Sequence, residues 1–212
     1  MGALPRLLRA PGRGQYDRRQ SRESRLLEQR ARLLAATALS LLHDAVPSVG
    51  TVVKLAGVSR NTFYEYFDDL EHARTAAALR GHQRLEQRLR AAEQETRTPV
   101  ERWRALVHAW TDWSLGAPAE ARLCLEDSRT GLSAAGRALE AGFARSAVTL
   151  RTSGVAGAPS DPLRVTAVAA AGEALVRQFI ADASRGAEAA EEARARQRIE
   201  RSLLDIAVRL LR

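Results

Sequence analysis

Apolar residues recur three or four positions apart along most of the chain, which is the spacing of one face of an α-helix. This period predicts a helix from Ser24 to Leu42, which Pro47 ends. Ser48 is suited to cap a short second helix that runs through Leu55. Alternating β-branched runs are absent, so the pattern predicts an all-α protein.

Residues 57–67 have the composition of a tight turn followed by a short helix. Gly57 can adopt the positive φ that such a turn requires, and Ser59 is a good N-cap for the next helix. Phe63 and Phe67 share one face and should be buried. This layout is typical of a helix-turn-helix, whose second helix enters the major groove of DNA. An ordinary helical hairpin is the alternative.

Longer helices are predicted further along the chain. Asp68 or Asp69 caps a helix that runs to about Gln94. Its apolar stripe is Ala78, His82, Leu85, Leu89 and Ala92. Thr98 and Glu101 form a capping box around a proline, which predicts a helix that ends near Gly116.

Four more helices bring the expected total to about nine. Pro118 opens a short one, and another runs from about Ser133 to Gly154. After a loop to residue 160, Pro162 starts a helix that continues until Gly186. The last helix carries Ile199, Leu203, Ile206 and Leu210 on one face.

Residues from about 22 to 73 resemble the DNA-binding domain of the tetracycline-repressor (TetR) family. The resemblance is carried by Ser48 with Val52, Ala56-Gly57-Val58-Ser59, Thr62-Phe63-Tyr64, Tyr66-Phe67 and Glu71. It implies an all-α dimeric regulator with a variable helical domain that often binds a small ligand. We therefore divide the chain into a flexible Arg-rich arm (1–21), a helix-turn-helix DNA-binding domain (22–70) and a helical ligand-binding and dimerisation domain (71–212).

The predicted partner is double-stranded DNA, contacted in two ways. Arg60, Asn61 and Thr62 are expected to meet base edges. Ser48, Ser59, Tyr64 and Tyr66 are expected to hold phosphates and set the register. A dimer places two recognition helices about 34 Å apart, so the operator should be an inverted repeat. The leading hypothesis is a ligand-responsive repressor in the cytoplasm, associated with the nucleoid.

The recognition segment, which we define as residues 48–71, departs from the family pattern. The family usually has a phosphate-contacting lysine where this chain has Leu70, and Glu65 stands where neutral or basic residues are more usual. Asn61 replaces a common glycine and could add a base-edge donor. The segment holds two positive against four negative charges, an unfavourable sign for binding a polyanion. The alternative hypothesis is a helical ligand-binding or protein-interaction dimer whose DNA binding is weakened or lost.

The N-terminus carries the opposite charge. Residues 1–30 contain eight arginines against three acidic residues, a net charge of +5. A flexible basic arm can follow phosphates or enter a minor groove, whereas a solvated tail or a mis-assigned start codon is the alternative. The whole chain has a net charge of +8, which favours an acidic polymer as partner.

Other classes of protein are disfavoured. No apolar run is long enough for a secretory signal or for the ~20 residues of a membrane span. Cys124 is the only cysteine, which excludes an intrachain disulfide and suits a reducing compartment. No nucleophile elbow, phosphate loop or zinc spacing is present, so we expect no enzyme, cofactor or metal site.

The predicted C-terminal domain has candidate residues for a ligand and for a dimer. Its three tryptophans lie on one predicted helix, and large aromatics can line an apolar pocket or fill an ordinary core. The set proposed for a small apolar or aromatic ligand is Trp103, Val107, Trp110, Trp113, Phe143 and Phe179. In the family the last two helices dock against their copies in a second chain. The homodimer set is Leu175, Phe179, Ile199, Leu203, Ile206 and Leu210, with an internal core as the alternative.

Overall fold

The computed structural model describes residues 22–43, 46–94, 98–126, 136–142, 144–145, 162–183 and 189–210, and within them every regular element is an α-helix. The helices are α1 (Arg22–His43), α2 (Val49–Ala56), α3 (Arg60–Tyr64), α4 (Leu70–Gln94), α5 (Pro99–Gly116), α6 (Pro118–Glu126), α7 (which includes 136–142), α8 (Pro162–Ala183) and α9 (Ala189–Leu210). The all-α prediction is confirmed. The predicted N-terminal arm and the loop at 154–160 lie outside the described residues.

Side-chain caps begin the helices where the sequence predicted them. The Ser48 hydroxyl accepts from the Thr51 amide at 3.1 Å, and the Asp69 carboxylate accepts from the His72 amide at 2.7 Å. Thr98 and Glu101 form both bonds of a capping box. These bonds satisfy amides that a helix leaves unpaired in its first turn, and each cap contributes about 1 kcal/mol.

The described part of the chain divides into two compact units, one up to Leu79 and one from Arg80. The division falls within α4, whereas the predicted boundary after residue 70 coincides with the start of that helix. In the first unit α1 packs against α2, and α2 against α3. Its core includes Leu33, Val52, Phe63 and Phe67, all almost completely buried.

The second unit is built around α5, which packs against α6, α8 and α9. Trp110 of α5 is fully buried beside Gly172 of α8, where an added Cβ would lie 3.5 Å from the Trp110 ring and 3.2 Å from Leu203 of α9. A larger residue at position 172 would therefore push these helices apart. None of the described helices is long and apolar enough to cross a bilayer.

The buried stripe of α4 differs from the predicted one. Leu85 and Leu89 are buried as expected, but Ala78, His82 and Ala92 are only half-buried. Burial instead continues at intervals of four through Gly81, Ala77 and Ala73. The reason in the second unit is α6: a Cβ at position 81 would lie only 2.9 Å from the Cys124 sulfur. The missing side chain of Gly81 lets α6 approach closely on that face.

Candidate nucleic-acid interface

A glycine turn places α3 after α2. Gly57 has φ 65° and ψ 40°, and its amide and that of Val58 donate to the Lys54 and Val53 carbonyls. Nothing lies within 4 Å of a Cβ built at this glycine. The positive φ is therefore the reason for glycine here, since other L-residues lose about 1–2 kcal/mol in that conformation.

The five residues of α3 separate into a buried and an exposed side. Ser59 caps the helix by accepting from the Thr62 amide at 3.1 Å, and Phe63 is completely buried. Tyr64 is 56% exposed, with its ring edge-on to Phe63 at 5.4 Å. The exposed surface consists of Arg60, Asn61 and Tyr64, whereas Thr62 is half-buried with its hydroxyl 3.0 Å from that of Ser59.

The Arg60 guanidinium lies near the start of α2. A Cβ built on Gly50 would be 3.4 Å from a terminal nitrogen of Arg60 and 3.5 Å from the Ser48 hydroxyl. Arg60 pairs with no carboxylate among the described residues. A cation and a hydroxyl thus lie together beside a helix N-terminus, a combination that attracts anions.

Tyr66 does not lie free at the surface. Its hydroxyl donates to the Leu26 carbonyl of α1 at 3.1 Å and is 3.4 Å from the Gln29 side-chain oxygen. Partial burial and, secondarily, the Glu65 charge raise the pKa of Tyr66, while Arg30 opposes them. The side chain that the sequence assigned to a phosphate is thus already engaged with α1.

Three of the four acidic side chains of the recognition segment contact partners at the start of α4. Asp68 lies 3.1 Å from the His72 ring nitrogen, Asp69 caps the helix, and Glu71 is 3.5 Å from Arg74. Glu65 is exposed directly after α3, and no cation pairs with it in the described ranges. Glu65 is therefore the acidic group nearest to α3 that has no partner among the described residues, while Asp68 and Asp69 keep their negative charges.

Solved structures of known proteins share this architecture. The fatty acid degradation regulator FadR from Bacillus halodurans superposes with a TM-score of 0.61 at 14% identity, covering 82% of this chain and 97% of that one. A TetR transcriptional regulator from Streptomyces coelicolor has a TM-score of 0.54 at 17% identity, covering 83% and 96%. The chain has the TetR-type regulator fold. No protein-family model and no curated protein matches the sequence.

In this TetR-type fold the predicted ligand residues lie in the interior of the second unit. Trp103, Val107, Trp110 and Trp113 occupy the buried face of α5, and Phe179 of α8 is also buried, whereas Phe143 lies outside the described residues. Burial is compatible with a core and with a closed pocket. The Trp113 ring nitrogen and the Ser114 hydroxyl, both buried, have no hydrogen-bond partner among the described residues, which is uncommon for interior polar groups.

The residues predicted for the dimer interface lie mainly between α8 and α9 of a single chain. Phe179, Ile199 and Leu203 are buried, and Leu175 and Ile206 are half-buried. The side chain of Leu210 falls outside the described part. The apolar side chains that α8 leaves to solvent, which we call the α8 outer face, are Leu163, Ala167, Ala170, Ala174 and Ala181. Arg164, Arg177 and Gln178 of the same helix are exposed as well.

Proposed function

We propose that the protein is a DNA-binding transcription regulator that acts as a repressor at an inverted-repeat operator. The observation that carries this proposal is the exposed side of α3. It presents Arg60, Asn61 and Tyr64 behind a glycine turn, with a guanidinium that no carboxylate neutralises among the described residues. A short exposed helix of this kind fits the major groove.

Each side chain has a role set by its chemistry. Arg60 and Asn61 read base edges, because guanidinium and amide groups match the donor and acceptor patterns of guanine and adenine. Tyr64 donates its exposed hydroxyl to a phosphate. Ser48 and Ser59 act first as helix caps, and the amides of the capped turns are available to the DNA backbone.

Two copies of the chain bind together. The α8 outer face supports this part of the proposal, because Leu163 is 75% exposed and the alanines that follow it allow close helix packing. Reading two successive major grooves requires recognition helices about 34 Å apart. A homodimer meets that requirement through its twofold symmetry.

A small apolar or aromatic ligand in the second unit regulates binding. The buried tryptophans of α5 and the unpartnered Trp113 N–H and Ser114 hydroxyl support this part of the proposal. A ligand that carries a hydrogen-bond acceptor would satisfy these groups. It alters DNA affinity only if it binds the DNA-competent and DNA-free states with different affinities.

Binding to the DNA upstream of the gene, titrated with salt, tests the proposal. We expect the wild-type protein to prefer an inverted repeat and to lose affinity steeply as salt rises. Arg60→Ala should reduce the free energy of DNA binding by about 1–3 kcal/mol and relax the sequence preference at one base position. Tyr64→Phe should weaken binding to all sequences equally. Arg104→Ala, which removes an exposed arginine of α5, is the matched control and should change little. Equal losses on all operator variants for Arg60→Ala would contradict its role.

A second candidate is a helical ligand-binding or protein-interaction dimer that no longer binds DNA. The exposed Glu65 beside α3 and the loss of a basic residue at Leu70 favour it. It predicts a dimer whose affinity for upstream DNA equals that for random DNA. In that case Glu65→Gln and Leu70→Lys are the first changes to restore binding.

A further inference from the structure

The first part of α1 lacks the hydrophobic packing that holds the rest of that helix. Residues 23–28 are all exposed, and Leu27 is 64% exposed. Nearly complete burial begins only at Leu33. Side-chain burial therefore does not fix the direction of the first two turns.

Contacts at Leu26, Gln29 and Arg30 tie the beginning of α1 to the residues directly after α3. The Tyr66 hydroxyl donates to the Leu26 carbonyl at 3.1 Å, which can accept a second bond because a carbonyl oxygen has two lone pairs. The Arg30 guanidinium lies over the Phe67 ring at 5.9 Å from its centroid. These contacts come from Tyr66 and Phe67, directly after α3, so the position of α3 and that of the beginning of α1 are linked there.

Tyr66 is a suitable anchor because its own ring is held. It lies 6.3 Å from the ring of Phe67, which is almost fully buried and lies 5.5 Å from the ring of Phe63 in α3. Burial raises the pKa of Tyr66 above its ordinary value of 10.0. A tyrosine hydroxyl is protonated at neutral pH even at its ordinary pKa, so it can donate to α1.

The charges of the first unit make the direction of α1 important. The recognition segment carries two positive and four negative residues, whereas α1 carries four arginines against two glutamates. Five more arginines precede α1 in the sequence. Attraction to a DNA backbone thus depends more on α1 and the residues before it than on α3.

We propose that Tyr66 is a positioning residue: it holds the exposed first turns of α1, and the arginines they carry, in the direction that meets backbone phosphates beside the groove entered by α3. This inference rests on the proposed DNA binding. In this inference Tyr66 acts through α1 instead of contacting a phosphate itself, and Arg25 is the group that touches the backbone.

The dependence of affinity on salt separates these two roles. Each phosphate neutralised by a cation releases counterions and steepens the slope of affinity against salt. Tyrosine is neutral, so the loss of its own phosphate bond weakens binding without changing that slope. If Tyr66 acts by placing arginines, its removal lowers the slope as well.

The experiment compares Tyr66→Phe with Tyr64→Phe, a matched hydroxyl deletion at an exposed tyrosine that bonds to no described residue. Both proteins are titrated with salt on upstream and random duplexes. We expect Tyr66→Phe to lower affinity on both by roughly two- to tenfold, the range for one lost hydrogen bond, and to reduce the salt slope by about 1. Tyr64→Phe should leave the slope unchanged. An unchanged slope for Tyr66→Phe would overturn the inference.

A double-mutant cycle with Arg25→Ala provides a second readout. If Tyr66 places Arg25, the two losses are not additive, whereas independent phosphate contacts would add. Hydrogen exchange of the DNA-free protein should show faster exchange at the amides of the first turns of α1 in Tyr66→Phe only. Unchanged exchange overturns the inference even if the wild type binds no DNA. If the wild-type protein shows no salt-dependent DNA binding but the variant exchanges faster, the proposed DNA-binding function is refuted. The contact between Tyr66 and α1 is then still supported.

Discussion

The two units of the chain hold their helices in different ways. In the first unit, α2 and α3 are placed by caps and a turn whose partners lie within five residues of each other, as with Ser48 and Thr51. In the second unit, α6 is placed by residues far apart in sequence. Arg84 of α4 makes two bonds of 2.7 and 2.8 Å to Glu120 at its start, and Arg177 of α8 donates to the Leu125 carbonyl at its end.

The difference is between contacts of residues that are neighbours in sequence and contacts of residues that are far apart in sequence. A cap or a glycine turn depends on a few neighbouring residues, so it forms wherever that short sequence occurs. An Arg–Glu pair between helices depends on the packing of both, and its strength depends on burial: Glu120 is largely buried, whereas Arg84 is partly exposed. Tyr66 is the exception in the first unit, because its bond to Leu26 spans forty residues.

The largest expected effect concerns the distant contact between α4 and α6. Gly81→Ala places a Cβ 2.9 Å from the buried Cys124 sulfur. Overpacking of this kind costs about 1–3 kcal/mol, against a gain of about 1 kcal/mol from alanine in a helix, so the net loss is up to about 2 kcal/mol. We expect a net loss of stability in urea unfolding. In a Cys124→Ala background the same substitution should stabilise instead, and a loss of equal size there would exclude the sulfur as the cause.

A local effect of similar size is expected at the turn before α3. Gly57→Ala has open space for its Cβ but must adopt a positive φ, at a cost of about 1–2 kcal/mol. The matched control is Gly116→Ala at the end of α5, which also has open space and lacks a positive φ. The control should be neutral or slightly stabilising. If both variants lose the same stability in thermal unfolding, the positive φ at Gly57 is not the cause of the loss.

The smallest effect has the opposite sign and concerns the interior of the second unit. Ser114→Ala removes a buried hydroxyl that has no partner in the described part of the chain. Relief of its desolvation should raise the stability of the ligand-free protein by about 1 kcal/mol. The buried Thr111 is the comparison, because its hydroxyl donates to the Val107 carbonyl at 2.8 Å, and Thr111→Ala should not stabilise. A destabilised Ser114→Ala protein would mean that the hydroxyl has a partner in solution.

The sequence predicted the helical class, the caps at Ser48, Ser59 and Thr98, and the burial of Phe63 and Phe67, all of which are confirmed. It did not predict the phase of the buried stripe on α4. Apolar alanines occur on several faces of that helix, and in the second unit the approach of α6 at Gly81 selects one. The engagement of Tyr66 was also missed, because its acceptor is a backbone carbonyl, which every residue possesses.

The packing partner of Leu203 is another feature that the sequence could not predict. Its spacing with Ile199 and Ile206 predicts an apolar face, but the spacing is the same whether that face meets another helix of its own chain or a second chain. The structure places Leu203 against Gly172 within one chain. Helix ends and turns followed from the sequence because their energies come from neighbouring residues. Which apolar face is internal, and which hydroxyl is already bonded, was decided by tertiary packing, since those energies depend on residues that only folding brings together.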